Sequence, residues 1–491
     1  MSSFTFIDLF AGCGGLSLGL RAAGGEELLA IEKSPMAAET YYNNFIERIP
    51  TSPKGQKRRS PKSNNRTFET IYTKSNGYFI PPNKRKVGLI VGDIWNVLAN
   101  IDGISKRISN KKVDLVVGGP PCQGFSLAGL RRGKADVRNH LVFAFHQFVT
   151  KFAPKIILLE NVDGIRRSFT KSGSPPIDEV IRLFENGGPN STAPKYRIQR
   201  VSVNALHYGV PQHRPRILLI GVREDWIKAK NGHADFIDFI PGYLNSASLP
   251  PNKRILLPQT LDTDFNVQDA LAGLSRKIEK NEYREKIGEL SQFLVPQTDT
   301  SHISNDNIRK HGPQVTTRFL INHRLAKLKD HPEFSKAFLN KKKFDRITAD
   351  NKKMAELYAS LKSQNSGELE LEIYTKEAGK TQRPISNWKD LELFLRKYVT
   401  NKFAQRVLLT NKPSPTIMTC PDDFIHHRLP RVLTVREMAR LQSFPDEFEF
   451  YGKETTGGLK RRFEVPQYTQ VGNAVPPLLA REIGKHLKKF L

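Results

Sequence analysis

The stretch "FIDLFAGCGG", residues 6–15, decides the fold. Its apolar half is typical of a buried strand, the glycines form a turn, and the next stretch, "LSLGLRAAG" (16–24), is helix-like. A strand, a Gly-rich turn and a helix N-terminus together form a nucleotide-binding arrangement, in which Gly12 and Gly14 let the backbone approach a ligand. The motif matches neither GxGxxG nor GxxxxGK[ST]. It therefore favours an adenosine-bearing cofactor other than a dinucleotide or a nucleoside triphosphate.

Five further apolar runs repeat this plan: "LLAIEK" (28–33), "VGLIVGD" (87–93), "VDLVVGG" (113–119), "KIILLENV" (155–162) and "RPRILLIGVR" (214–223). Near-continuous apolar strands separated by helical segments predict a mostly parallel sheet covered on both faces. The expected fold class is α/β, with a Rossmann-like domain built on a mixed, mostly parallel sheet.

Acidic residues end two of these strands. Glu32 follows the second strand and is well placed to accept hydrogen bonds from ribose hydroxyls, because ligands of open α/β sheets bind beyond the carboxyl ends of the strands. Asp93 follows the third strand and suits an adenine amino group. Considered alone, Asp93 could equally be a helix N-cap.

Cys122 lies in "GGPPCQGFS", residues 118–126, at the end of another strand. A cysteine nucleophile must be reachable and must have thiolate character. The alternative is a small buried hydrophobe, the commoner fate of a free cysteine. The two prolines before Cys122 and the small residues after it favour a rigid corner that leads into a mobile loop.

Three charged residues could share a pocket with Cys122. Glu160 ends the neighbouring strand and could donate or accept a proton there, or be only an N-cap or an ion-pair partner. Arg214 and Arg216, in "QHRPR" (212–216), are spaced to lie on one face of a strand. They could form an anion or carbonyl clamp over the pocket, or an exposed basic edge.

The composition predicts a polyanionic partner. The chain has 491 residues with 77 Lys and Arg against 49 Asp and Glu, a formal net charge of +28.

Its three cysteines lie far apart with no CxxC pair, so neither a disulfide framework nor a metal site is expected. No apolar run is long enough for a membrane span, and the N-terminus lacks a signal-peptide pattern. We expect a cytoplasmic protein without membrane association, acting as a monomer.

The rhythm of strands and helices is interrupted twice. Residues 46–88 are rich in Lys, Arg, Pro and Ser and are interpreted as a surface insertion that could also lie along nucleic acid. Residues 224–412 lose the alternation and are predicted to form a separate, less regular domain. Near the end, "TVREMARLQSFPDEF" (434–448) opens with a capping-box pattern, and "VPPLLAREIGKHLKKFL" (475–491) predicts a final helix.

Taken together, these motifs resemble the DNA cytosine-5 methyltransferase family. They follow one another in the family's order: "FIDLFAGCGG", "IEKS", "GDI", "GGPPCQGFS", "ENV", "QHRPR", "LTVREMARLQSFPDEF" and "QVGNAVPP". The resemblance implies a discontinuous catalytic domain, residues 1–223 plus 413–491, and an inserted target-recognition domain, residues 224–412. It also implies S-adenosylmethionine as cofactor and double-stranded DNA as substrate.

The resemblance also implies individual roles. Cys122 would be the nucleophile, Glu160 would engage the cytosine N3 and amino group, Arg216 would neighbour the base, and Arg214 would support the loop. Phe10 would stack on the adenine, Glu32 would hold the ribose and Asp93 the adenine amino group. Pro121 would shape the floor between cofactor and base, and Asn473 would link the last segment to the cofactor pocket.

Other functions remain possible at this point. An RNA cytosine-5 methyltransferase of the same fold is the main alternative, although the large basic region favours duplex DNA. Amino-methyltransferases need no cysteine, and a DNA-binding protein without catalysis would not require Cys122, Glu160 and Arg216. The absence of a long extension at either end predicts a prokaryotic modification enzyme that functions with a restriction endonuclease of the same specificity.

Overall fold

The computed structural model describes residues 3–48, 88–108, 112–120, 141–162, 176–188, 193–229, 242–245, 265–274, 281–297, 303–364 and 368–491. Most of the insertion predicted at 46–88 lies outside these residues, as do Pro121, Cys122 and the loop that follows them.

An eight-stranded sheet forms the centre of the larger part of the molecule. Its strands are β1 (Phe4–Leu9), β2 (Gly25–Glu32), β3 (Gly88–Val91), β4 (Leu115–Gly118), β5 (Ile156–Asn161), β6 (Tyr196–Asn204), β8 (Pro215–Arg223) and β9 (Gly242–Asn245), with β7 (Gln212–His213) just before β8. The order across the sheet is β3-β2-β1-β4-β5-β8-β6-β9. The predicted α/β fold with a mixed, mostly parallel sheet is confirmed.

One strand differs from the expectation. β8 was predicted to be one more strand of the parallel set, but it pairs antiparallel with both β5 and β6. The short hairpin around β7 explains the reversal, because β6 reaches β8 without the crossover helix that a parallel connection needs. As a result the start of β8 lies at the sheet edge where β5 ends: Asn161 pairs with Ile217 and Glu160 with Leu218.

Helices cover both faces of this sheet. Those that follow its strands are α1 (Gly15–Ala22), α2 (Pro35–Phe45), Ile94–Ala99, Ile101–Arg107, Leu141–Phe152, Pro176–Glu185 and Glu224–Ala229. Two apolar clusters result, one on each face, because alternate residues of each strand point to opposite sides.

The C-terminal residues return to this core. The helices Val435–Leu441, Gln467–Asn473 and Pro477–Lys488 all contribute to the larger apolar cluster. The last helix packs closely on α1, since a Cβ at Gly19 would lie 2.3 Å from the Ala480 Cβ and one at Gly484 would lie 2.6 Å from the Ala23 Cβ. The predicted capping box of Thr434 and Glu437 and the predicted final helix are both present.

A second, smaller unit has a core of its own. Its elements are the helices Pro313–Ala326, Pro332–Ala337, Lys341–Thr348, Asn351–Ser363 and Trp388–Arg396, and the antiparallel strands Leu369–Thr375 and Gly379–Ile385. Its apolar cluster runs from Ile321 to Val399 and is separate from the sheet's clusters.

The packing corrects one part of the predicted domain boundary. The helices Val267–Leu271 and Glu282–Gly288 and the 3-10 turn Glu289–Phe293 lie within 224–412, yet their apolar residues belong to the larger cluster. Phe265, Tyr283 and Leu290 are buried there beside residues of α1 and of the C-terminal helices. Residues 265–294 therefore pack with the sheet rather than with the smaller unit.

Candidate active site

The Gly-rich turn after β1 and the end of β2 are joined by one carboxylate. Glu32 accepts a hydrogen bond from the Gly12 amide (2.9 Å) and another from the Ser34 amide (2.6 Å). Burial raises the pKa of the Glu32 carboxyl, against the lowering effect of these backbone donors. Glu32 therefore holds the turn in place while remaining only partly buried at the carboxyl edge of the sheet.

The glycines of this turn serve different purposes. Gly12 has a φ of +58°, and a Cβ there would meet nothing within 4 Å, so open space adjoins the turn. At Gly14 a Cβ would lie 2.2 Å from a ring carbon of Phe45, and the Gly14 amide already donates to the Ala11 carbonyl. Gly12 is thus suited to a ligand. At Gly14 the close packing on α2 excludes a side chain, and its predicted cofactor contact stays a prediction.

Phe10 and Asp93 border the same edge. Phe10 is half-buried against the apolar cluster and has a left-handed φ of +62°. Asp93 caps the helix that follows β3, since its Oδ1 accepts from the Trp95 amide (3.0 Å), and its Oδ2 pairs with Lys33 (2.8 Å). The helix-cap interpretation of Asp93 is confirmed, and its role toward an adenine stays a prediction.

A buried ion pair forms where β5 and β8 meet. The Arg216 Nε lies 2.5 Å from the Glu160 Oε1, and the two side chains are only 9% and 12% exposed. A Cβ at Gly119 would lie 3.2 Å from the Glu160 Oε2, so the carboxylate sits against the backbone that leads to Cys122. Glu160 is thus an ion-pair partner, as one alternative proposed, and it is also placed beside the predicted nucleophile's segment.

Asn161 is a residue that the sequence interpretation left without a role. Its side-chain amide donates to the Pro120 carbonyl (3.2 Å), which ties the end of β5 to the segment before Cys122. The signal was present in "ENV", where a short polar side chain directly follows Glu160. Cys122 and Pro121 lie outside the described residues, so their placement in this pocket stays a prediction.

Arg214 is buried two residues before Arg216. It is 1% exposed, and its guanidinium donates to the backbone carbonyls of Ile417 (3.1 Å), Gly472 (2.8 Å) and Ala474 (2.9 Å). Burial, and then the neighbouring Arg216 cation, lower the pKa of Arg214 well below its usual value. The exposed-edge interpretation is wrong for Arg214, which joins distant segments, and its predicted part in the pocket and in supporting the loop stays a prediction.

The segment that contains Asn473 reaches the Gly-rich turn through its backbone. A Cβ at Gly15 would lie 2.3 Å from the Val475 carbonyl oxygen, so residues 474–475 pack directly on that turn. The Asn473 side chain itself is exposed. The predicted link between the last segment and the turn is therefore made by the neighbours of Asn473.

Gln212 extends the network around Arg214. Its amide nitrogen donates to the Leu441 carbonyl and to the Gln442 side chain, both at 3.0 Å, and its Oε1 accepts from the Ile417 amide (2.9 Å). Gln212 is fully buried, and the sequence motif "QHRPR" does not predict this role for it. Its partners lie more than 200 residues away, so no local pattern could have revealed them.

Of the other cysteines, Cys13 is unsuited to catalysis. It is 2% exposed, and burial raises the pKa of its thiol to about 12. At such a pKa the thiolate fraction near neutral pH is negligible. Cys13 therefore packs in the larger apolar cluster.

Within the described part of the chain, no helix is both long and apolar enough to cross a membrane.

The sequence was compared with protein families and with known proteins. The model of the C-5 cytosine-specific DNA methylase family matches residues 4–70 and 90–489. The chain is 29% identical to the type II methyltransferase M.DdeI of Desulfomicrobium norvegicum, covering 99% of this chain and 88% of the relative. It is 28% identical to M1.HphI of Haemophilus parahaemolyticus, covering 99% of this chain and 87% of that protein.

A solved structure supports the fold. The crystal structure of a prophage-encoded DNA modification methyltransferase (E. coli) superposes with a TM-score of 0.54 at 22% identity, covering 99% of this chain and 98% of that one. The family match extends over almost the whole chain and includes every segment that builds the ion-pair pocket and the Gly-rich turn. The chain therefore belongs to the C-5 cytosine-specific DNA methylase family and is a DNA (cytosine-5)-methyltransferase.

Proposed function

We propose that this enzyme transfers a methyl group from S-adenosylmethionine to C5 of a cytosine flipped out of duplex DNA, with Cys122 as nucleophile. The observation that carries the proposal is the buried Arg216–Glu160 ion pair beside Gly119. It places a carboxylate and a cation at the sheet edge where the Cys122 segment begins.

The residues around the Gly-rich turn fit the cofactor. The open space at Gly12 would admit it, the Glu32 carboxylate can accept hydrogen bonds from a ribose, and Phe10 offers an aromatic face for an adenine. Asp93, Pro121 and Asn473 would complete the site. The bound cofactor would supply an electrophilic methyl group.

The protein groups would act on the base. The Cys122 thiolate adds to C6, which breaks the aromaticity of the ring and moves electron density toward C5 and N3. Glu160, oriented by Arg216, supports this by hydrogen bonding or proton donation at N3. After C5 is methylated, a base removes the C5 proton and the Cys122 thiolate is expelled as the C5–C6 double bond re-forms.

The cytosine must leave the helical stack to reach this pocket, at a cost of a few kcal/mol.

We infer that residues 1–223 and 413–491 perform the chemistry, and that the unit around residues 313–399 recognises the DNA sequence. We further propose a bacterial cytoplasmic enzyme that acts as a monomer. Similarity to type II methyltransferases supports the part of the proposal in which it protects DNA from a restriction endonuclease of the same specificity.

Transfer of label from tritiated S-adenosylmethionine tests this proposal. We expect label on duplex DNA from the wild type, none on tRNA, and none on DNA from Cys122→Ser. Cys420→Ser is the matched control and should retain activity. Label on DNA from Cys122→Ser, or label only on tRNA, would contradict the proposal.

A second experiment localises the nucleophile. Duplex DNA carrying 5-fluorocytosine should trap a covalent complex with the wild type, because the missing C5 proton blocks release of the enzyme. The peptide that carries the adduct should contain Cys122, and an adduct on Cys13 or Cys420 would refute the assignment.

A further inference from the structure

The segment 452–464 projects from a firmly held base. The Gln470 side-chain amide donates to the carbonyls of Tyr451 and Val465, both at 3.0 Å, so it holds the two ends of the segment together. Lys453 and Glu464 form an ion pair of 2.7 Å across the same base. The two ends of the segment are therefore held at a fixed position relative to the core.

The tip of this segment exposes two large apolar side chains next to two cations. Leu459 is 73% exposed and Phe463 is 83% exposed, the highest values among the large apolar residues that the structure describes. Lys460 and Arg461 are exposed between them, in the 3-10 turn Gly458–Arg462. Two large apolar side chains exposed within five residues of each other, beside two cations, favour a binding element over a solvated loop.

The segment stands at the carboxyl edge of the sheet. Gly452 packs on Met36 at the start of α2, four residues beyond Glu32, since a Cβ at Gly452 would lie 3.3 Å from the Met36 Cβ. Arg461 acts electrostatically on Asp423. Asp423, His213 and Pro215 line an open cleft of about 580 Å³, and Arg216 directly follows Pro215.

We propose that the tip, residues 457–463, is a DNA-binding element that contacts the duplex at the mouth of this cleft. Lys460 and Arg461 would neutralise phosphates, while Leu459 and Phe463 would pack against sugars and base edges, as apolar side chains do at distorted duplexes. The inference rests on the proposed function, since it requires that duplex DNA enters the cleft.

Filter binding to linearised plasmid DNA at increasing salt tests the cationic half. We expect the double variant Lys460→Ala/Arg461→Ala to reduce the slope of log affinity against log salt by about 2, one for each lost phosphate contact. Lys488→Ala/Lys489→Ala is the matched control, because Lys488 lies beside Gly24 just before β2, at the opposite edge of the sheet. An unchanged slope in the Lys460/Arg461 variant, or an equal loss in the control, would overturn the proposal.

Methylation kinetics test the apolar half. Phe463→Ser should raise the KM for DNA about tenfold with little change in kcat, while Phe463→Leu should behave like the wild type. A KM unchanged in Phe463→Ser would overturn the proposal. So would a wild-type dimer that Phe463→Ser dissociates without weakening DNA binding, because the surface would then serve self-association.

These outcomes are separable from failure of the proposed function. Filter binding requires no methyl transfer, so it reports on the tip even if the enzyme proves to methylate another substrate. Loss of methylation with intact, tip-dependent DNA binding would contradict the proposed reaction alone.

Discussion

The sheet-bearing core and the smaller unit hold their arginines in opposite ways. In the core, Arg214, Arg436 and Arg440 are fully buried, and their guanidinium groups donate to backbone carbonyls of segments far away in sequence: those of Ile417, Ser304 and Ala272. In the smaller unit, Arg383 and Arg396 are 35% and 41% exposed and pair with nearby carboxylates. The buried cations of the core therefore help to determine how distant segments meet, while the two arginines of the smaller unit pair in solvent within that unit.

The pocket arginine should show the largest effect of all, and on activity rather than stability. Arg216→Lys cannot keep the same contact with Glu160, because lysine lacks the planar guanidinium. We expect kcat to fall about 10²- to 10³-fold, the usual cost of losing one oriented donor. Steady-state methylation assays measure it, with Arg197→Lys, an exposed position on the adjacent strand β6, as control.

The prediction for Arg216 fails if kcat stays within about threefold of the wild type, a change of about 0.7 kcal/mol in the activation free energy. An equal loss in Arg197→Lys would show that the assay reports general disturbance of the sheet rather than the ion pair.

Arg214→Met tests the buried half of the comparison. The change leaves the carbonyls of Ile417, Gly472 and Ala474 without their donor in the interior. We expect the free energy of unfolding to drop by about 3 kcal/mol or more, since buried unpaired polar groups cost about 1–3 kcal/mol each. Urea unfolding measures the loss, and a drop below about 1 kcal/mol would show that Arg214 is not what joins these segments.

His426 makes the junction between the two units sensitive to acid. Its Nδ1 accepts from the amides of Arg428 and Leu429, so the ring is neutral, and burial lowers its pKa to about 2. In the unfolded chain a histidine binds a proton below about pH 6.5. Below that pH the unfolded state binds a proton at His426 that the folded state does not bind. The free energy of unfolding therefore falls as the pH drops below that value.

The expected loss from His426 is about 1.4 kcal/mol per pH unit, or about 2 kcal/mol between pH 7 and pH 5. Urea unfolding at both values measures it. His426→Asn should show a pH difference smaller by that amount, and an equal pH difference in both proteins would contradict the assignment.

The capping box offers a smaller, local test. Thr434 accepts from the Glu437 amide (3.1 Å), and Glu437 accepts in return from the Thr434 amide (2.8 Å). We expect Thr434→Ala to cost about 1 kcal/mol. Thr434→Ser keeps the acceptor and should recover most of it in the same unfolding experiment; a Ser variant as unstable as Ala would point to the lost methyl group instead.

Arg396 in the smaller unit should show the smallest effect. Its partners Asp345 and Glu392 lie at 2.7 Å, but the pairs are solvent-exposed and screened. We expect Arg396→Ala to change the free energy of unfolding by about 0.5 kcal/mol. A loss as large as that of Arg214→Met would break the comparison between the two units.

Much of the fold was predictable from local pattern. Continuous apolar runs ending in Gly or acid located β1 to β5, because strands buried on both faces need apolar residues at every position. The capping box and the final helix were also predictable, because both depend on residues within one or two helical turns of each other. β6 was missed, as its polar residues Arg197, Gln199 and Arg200 interrupt the pattern.

The candidate site was predictable only in part. Strand-end residues such as Glu32 and Glu160 could be placed together, because the carboxyl ends of neighbouring strands share one edge. The different contacts of Arg214 and Arg216 could not be predicted. Their spacing of two residues places both on one face of a strand, but it does not show which segments cover that face. Residues 265–294 likewise resembled the irregular region in composition, although they pack with the sheet.

By itself the sequence determined the α/β class, the order of the motifs and the chemistry of the residue types, because each depends on neighbours along the chain. The folded chain alone reveals that β8 runs antiparallel and brings Arg216 to Glu160, that Arg214 ties residues 417, 472 and 474 together, and that Gly14 packs closely on Phe45. Those outcomes depend on contacts between residues far apart in sequence, where burial and hydrogen-bond satisfaction, rather than local propensity, select the partner.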